Sequence, residues 1–351
     1  MSSRETHATL PTGADGVEPA DHPVREELRR IASDTAYAFK LARGRIDLPA
    51  ATPSDGPDPY GNPDPEWLRI DWREHRRQVD VVGAKVNYVE MGEGPPLLFV
   101  HGLSGCWQNW LENIPYFART HRVVALDLPG FGGSPMPPWE ISIPAYGRFL
   151  RDFCERLGVG RSSLVGNSMG GFIATEVAIT EPDRVDDLVL VSAAGITWAR
   201  ARREPAAMIG RVGRATAPVL LRFHMQGIKR PRLRRNYFQG VFFDPDGLRR
   251  EMLWENVVPA LQSPGYYDAL TTLWGYDIRD RLEDIGVPTL IVWGRNDRVV
   301  PVPAAVSYRK RIGKNAELVI FDHCGHVPQI ERPARFNRLL EEFLARSGSL
   351  R

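Results

Sequence analysis

The chain has 351 residues, 43% of them hydrophobic, and a formal net charge of +2. That length suits one large α/β domain with additions, and the near-balance of charge argues against a general nucleic-acid binder. No apolar run approaches the roughly 18 residues of a membrane span, and the polar N-terminus lacks the apolar core of a signal peptide. Cys106, Cys154 and Cys324 lie far apart. They read as small buried thiols in a reducing, cytoplasmic compartment rather than as a disulfide framework.

Residues 1–72 read as an N-terminal extension. Residues 1–21 are polar and expected to be disordered. Val24, Leu28, Ile31, Thr35 and Phe39 make a helical stripe flanked by Arg25, Arg29, Arg30, Lys40 and Arg43. Residues 47–66 are rich in Pro, Asp and Gly and read as a linker or an extended arm. The main domain then covers 73–195 and 276–351. Gln78–Val82 and Lys85–Val89 are expected strands joined by a tight turn at Gly83, and Leu97–Val100 is apolar enough for a central parallel strand. A helix is expected around Trp107–Phe117, a strand over Arg122–Asp127, a helix over Ile143–Leu157 and a strand over Val185–Ser192. Strand signals resume at Pro288–Gly294 and Glu317–Phe321, and Arg335–Ala345 closes the chain as a helix. Alternation of this kind predicts a mostly parallel sheet with helices on both faces. Residues 196–275 interrupt it with helix-like stretches and no clear core strand, as a helical cap over the strands' carboxyl ends would.

The chemistry gathers at the strand ends. Leu164-Val165 runs into Gly166-Asn167-Ser168-Met169-Gly170, and helical spacing follows at Phe172, Ile173, Val177 and Ala178. Strand, sharp turn and helix are the context that gives a G-x-S-x-G motif its meaning: an exposed serine on a strained turn, facing the N–H groups of a helix N-terminus. A serine needs a base and a carboxylate to orient that base. Asp297 and His326 follow two late strands, and the order Ser168, Asp297, His326 is that of a nucleophile, an acid and a base on one sheet face. His323 competes with His326, but Gly325 and Pro328 favour His326 as the loop residue at the site. Asp127 competes with Asp297 and reads instead as a structural carboxylate holding its Gly-rich loop. The backbone N–H groups of Leu103 and Met169 are the candidate oxyanion hole. His101, Asp127 and His326 lack metal-ligand spacing, no G-x-G-x-x-G fingerprint occurs, and no cofactor is implied.

From about Val79 to Leu344 the chain resembles the α/β-hydrolase superfamily. The resemblance rests on His101-Gly102, on Asp127-Leu128-Pro129-Gly130-Phe131-Gly132-Gly133-Ser134, on Gly166-Asn167-Ser168-Met169-Gly170-Gly171, on Gly294-Arg295-Asn296-Asp297 and on Gly325-His326. It implies the α/β-hydrolase fold and a Ser-His-Asp triad, and it is poorly specific for substrate. The expected activity is hydrolysis of small carboxylic esters with an apolar acyl group, through an acyl-enzyme. The elbow and Trp107-Gln108-Asn109 are also similar to motifs of meta-cleavage-product hydrolases, which break carbon–carbon bonds; those enzymes typically carry tryptophan after the histidine, where this chain has Val327. A catalytically dead hydrolase fold acting as a binding protein is a third alternative. Between 200 and 235 stand eleven cations against one acid, Glu204, interleaved with apolar residues. With the basic helix at Val24–Arg45, this cluster suits peripheral contact with an anionic membrane surface; the alternatives are a solvated face whose arginines pair with acids elsewhere and, for the helix, packing against the main domain or a partner subunit.

Overall fold

The computed structural model describes residues 49–197, 230, 235–236, 238–261 and 263–347. The basic helix expected at Val24–Arg45 lies outside these residues, as does the cationic run apart from Arg230 and Arg235. Arg235 pairs with Asp246 at 3.3 Å on the surface.

Eight strands form one sheet: β1 (Arg76–Val81), β2 (Ala84–Met91), β3 (Pro96–Val100), β4 (Arg122–Leu126), β5 (Ser162–Asn167), β6 (Val185–Val191), β7 (Thr289–Gly294) and β8 (Ala316–Phe321). Their spatial order is β1-β2-β4-β3-β5-β6-β7-β8. β1, β2 and β4 pair antiparallel, and every other neighbour is parallel. Val82 and Gly83 join β1 to β2 with φ of 48° and 74°. Positive φ at both central residues is what a two-residue type I′ hairpin requires.

β3 lies inside the sheet, and Leu97 to Val100 are wholly buried. Their side chains alternate between two cores. Leu98 and Val100 join the cluster that holds Phe172 and Tyr308, while Leu97 and Phe99 join the one that holds Phe117 and Phe336. A strand covered on both faces must be apolar at every position, which is why its sequence shows no alternation.

The described helices are α1 (Ile114–Phe117), α2 (Ile143–Arg156), α3 (Met169–Thr180), α4 (Arg250–Leu261), α5 (Tyr266–Thr272), α6 (Pro303–Ile312), α7 (Pro328–Glu331) and α8 (Pro333–Ser347). α2 starts at Ser142, whose hydroxyl accepts the Ala145 N–H at 3.2 Å; such a cap satisfies one of the helix's free donors. α3 is buried at every residue from Met169 to Ala178, not along one stripe. The single helix expected over Trp107–Phe117 is instead a 3-10 turn, Trp107–Trp110, followed by α1. Pro115 supplies the reason: it lacks an N–H, and its ring would collide with a carbonyl one turn back in a continuous helix.

Residues 49–72 form an arm that starts on the β8 edge of the sheet at Thr52 and reaches Glu112, beside α1, at Trp67. Thr52 gives its N–H to the Ile320 carbonyl at 2.8 Å and takes the Ile320 N–H on its hydroxyl at 3.0 Å. This covers part of an edge strand that would otherwise present unpaired backbone groups. Arg335 clamps the arm through the Thr52 carbonyl at 2.6 Å, and buried Trp67 donates to Glu112 at 2.9 Å.

Candidate active site

The turn after β5 puts Ser168 at φ 54°, ψ −117°, a conformation that a residue with a side chain adopts only when its surroundings enforce it. Three backbone bonds do so. The Ser168 N–H donates to Val191 at the end of β6 at 2.9 Å, and its carbonyl accepts from Ala194 at 2.9 Å and Phe172 at 3.1 Å. The flanking glycines are required sterically. A Cβ on Gly166 would strike the backbone of Gly170 and Gly171, and one on Gly170 would strike the carbonyls of Val100 and His101. Met169 opens α3, so its N–H belongs to the first turn, where donors have no partner within the helix.

The loop after β3 comes up beside this turn: a Cβ on Gly102 would stand 2.8 Å from that of Ser168. His101 holds the loop. Its Nδ1 donates to the Gly102 carbonyl at 2.7 Å and its Nε2 accepts the Leu128 N–H at 2.9 Å, a pattern only the neutral ring can make. Burial drives its pKa down to about 4. The unfolded chain, near 6.5, therefore takes up the proton first as pH falls. Stability from the buried neutral ring is complete above about 6.5 and is lost as pH falls through about 4, with an amplitude of roughly 3 kcal/mol. Asp127 and Glu331, which burial raises to about 6 and about 7, work in the opposite direction. They cancel in a comparison of wild type with His101→Gln. The variant is expected to lose less stability in urea titrations between about pH 6.5 and pH 4; parallel curves would mean that His101 protonates normally in the folded chain.

Asp127 performs the structural role read from its Gly-rich loop. Its carboxylate accepts N–H groups from Trp107 at 2.7 Å, Gly133 at 2.8 Å and the Asn87 side chain at 2.7 Å.

Asp297 and His326 meet. Oδ2 of Asp297 lies 2.8 Å from Nδ1 of His326, and its Oδ1 accepts the N–H groups of Val299 at 2.8 Å and Val300 at 2.9 Å. Asp297 is 1% exposed, His326 6% and Ser168 7%. The carboxylate holds the Nδ1 proton, which leaves Nε2 as the acceptor of the neutral ring. His323, by contrast, is exposed and sits 3.6 Å from Asp322.

Ser168, His326 and Leu103 line one cavity of about 490 Å³. Phe238, Val241, Phe242, Leu270, Leu273, Val300 and Val327 make its walls largely apolar. Three asparagines, Asn109, Asn167 and Asn256, interrupt them, and the Asn109 side chain, from the sheet domain, donates to that of Asn256 on α4. Asn256, like Asn167, was not singled out by the sequence. Asn167 carries an amide that donates to the His326 carbonyl at 3.2 Å and to Val191 at 3.0 Å, tying the histidine loop to the elbow. Only its place inside the G-x-S-x-G motif hinted at a role. Among the described residues, no group of His, Cys, Asp or Glu side chains could hold a metal ion, and no helix is long and apolar enough to cross a membrane. Cys106, Cys154 and Cys324 are buried.

A serine elbow, a carboxylate–histidine pair and a mostly parallel sheet with helices on both faces define the α/β-hydrolase class. The chain belongs to that family: its sequence pattern, described as alpha/beta hydrolase fold, matches residues 95–333. The chain is 30% identical over 278 residues to a 2-hydroxy-6-oxo-6-phenylhexa-2,4-dienoate hydrolase of Comamonas testosteroni, covering 74% of this chain and 91% of that protein. Among solved structures it is similar to a membrane phospholipase A described as a bacterial virulence factor, with a TM-score of 0.63 and 26% identity over 93% of this chain and 97% of that one. It is also similar to a meta-cleavage product hydrolase of Pseudomonas fluorescens IP01, with a TM-score of 0.62 and 25% identity over 78% and 99% of the two chains.

Proposed function

We propose that the protein is a serine hydrolase that cleaves carboxylic esters with an apolar acyl group. The observation that carries this reading is the 2.8 Å pair of Asp297 and His326 on the wall of the apolar cavity that also holds Ser168. His326 takes the Ser168 proton as the hydroxyl oxygen attacks the ester carbon. The oxyanion is held by the N–H groups of Leu103 and Met169, and collapse expels the alcohol with the proton from His326. Water, deprotonated by His326, then attacks the acyl carbon, and collapse expels the Ser168 oxygen, which takes the proton back from His326. Asp297 keeps the ring in the Nδ1–H tautomer and stabilises the imidazolium. Residues 196–275 serve as the cap that selects the acyl chain.

Carbon–carbon hydrolysis on the same residues is the second reading, favoured by the Comamonas relative. Val327 weighs against it: this smaller side chain lines the cavity at the position after the histidine, where those hydrolases typically carry tryptophan. A screen of p-nitrophenyl esters of graded acyl length, with one meta-cleavage dienoate included, separates the two. Esters are expected to show the higher kcat/KM; a dienoate that outruns all of them would reverse the assignment.

The cationic run at 200–235 is proposed to face anionic lipid, each basic residue near the surface contributing on the order of 1 kcal/mol. Co-sedimentation with anionic vesicles is expected to exceed that with neutral ones and to fade as salt rises. Equal binding to both would leave the run as an ordinary charged face.

A further inference from the structure

Glu331, at the end of α7, is fully buried behind the turn that carries His326, and the catalytic steps above make no use of it. Its Oε1 accepts the Gly325 N–H at 2.9 Å and, at a longer 3.4 Å, the Val327 N–H. These are the two neighbours of His326. Its Oε2 accepts the Phe243 N–H at 2.7 Å and the Tyr60 hydroxyl at 2.8 Å. The His326 N–H in turn donates to the Val241 carbonyl at 2.7 Å. One carboxylate and one backbone bond thus stitch residues 325–327 to residues 241–243. The fit is close: a Cβ on Gly325 would stand 2.9 Å from the Phe243 nitrogen and 3.0 Å from Oε1.

We propose that Glu331 is a positioning residue: it locks the His326 turn to the chain at 241–243 that borders the cavity, and so sets the imidazole against Asp297 and Ser168. The proposal rests on the reading of His326 as the base. Neither segment can shift without breaking a bond to the other. Because Val241 and Phe242 line the cavity, any movement of that wall reaches the base through the same carboxylate. Four donors converge on this group and oppose the rise that burial imposes, and the balance leaves its pKa raised to about 7.

Glu331→Gln keeps the volume and breaks the pattern. In one amide orientation its NH2 faces the Gly325 and Val327 N–H groups. In the other it faces the Phe243 N–H. Either way a donor meets a donor. A buried carboxylate with a merely structural role would lose stability on this change and leave the chemistry alone. Glu112→Gln is the matching control, since Glu112 accepts from Asn62 and Trp67 on the arm, away from the cavity.

The test uses the full chain with Glu331→Gln, Glu331→Asp and Glu112→Gln. It measures Tm, kcat and KM on a short p-nitrophenyl ester, and the downfield proton resonance of His326 Nδ1–H, assigned by its loss in His326→Ala. Glu331→Gln is expected to lower kcat by roughly 10²-fold with little change in KM, the scale of a base displaced by about 1 Å, and to shift or broaden the resonance. Glu331→Asp, which keeps the charge on a shorter stem, is expected to fall between it and wild type. Glu112→Gln should lower Tm alone. Wild-type kcat and resonance in folded Glu331→Gln would overturn the proposal; should that variant not fold, the same result in Glu331→Asp would do so. The resonance needs no turnover. A wild-type protein inert towards every ester would defeat the catalytic reading, while the resonance would still decide the positioning.

Discussion

Ser168→Ala is expected to lower kcat on esters by on the order of 10⁴- to 10⁶-fold, with the fold intact. The alanine removes the atom that attacks and leaves the elbow's three backbone bonds in place. His326→Ala should cost a similar factor, and combining the two should cost little more, because a nucleophile without its base and a base without its nucleophile are equally idle. Asp297→Ala differs in kind. It strands the N–H groups of Val299 and Val300, which now share the Oδ1 of a carboxylate that is 1% exposed. It should therefore lower stability by about 1–3 kcal/mol as well as activity. Steady-state kinetics with labelling by a fluorophosphonate measures all three. Labelling of Ser168→Ala at the wild-type rate would place the nucleophile elsewhere, and near wild-type turnover by Asp297→Ala would remove that residue from the triad.

Gly294→Ala is expected to be among the most damaging single-methyl additions in the chain. Gly294 ends β7, and a Cβ there would strike the carbonyls of Gly325 and Cys324. Both obstacles are backbone, and they belong to the loop that carries His326, while Gly294 leads directly into the loop that carries Asp297. Relief requires the two loops to part, which lengthens the 2.8 Å contact on which the imidazole's tautomer depends. A loss of roughly 3 kcal/mol or more in stability is expected, with a loss of kcat beyond it. Gly286→Ala provides the contrast, since a Cβ at Gly286 would meet nothing within 4 Å. Its stability should stay within about 0.5 kcal/mol of wild type. Urea denaturation of the two variants makes the measurement; equal midpoints would show that the loops are not pressed together at Gly294.

Much of the architecture could be read locally. The apolar run Leu97–Val100, the strand–turn–helix around Ser168 and the late strands before Asp297 and His326 are each written within a few consecutive residues, because strand burial, turn chemistry and helix onset are short-range properties of the chain. The order of Ser168, Asp297 and His326 along the chain followed from those strand ends. Where a local rule met a local obstacle, as at Pro115, the expected helix broke.

What the linear order could not contain is which distant atoms come within reach. Asn167 bonds the loop of His326, 159 residues away; Glu331 bonds Phe243 across 88 and Tyr60 across 271. His101 finds Leu128 because β3 and β4 are neighbours in the sheet. An asparagine, a glutamate or a histidine carries the same donors and acceptors wherever it stands, and its partner is chosen only when the packed sheet brings two loops to within about 3 Å. The residue types at the strand ends, and their order, are properties of the sequence; the cavity they share and the carboxylate that braces the histidine turn are properties of the packing.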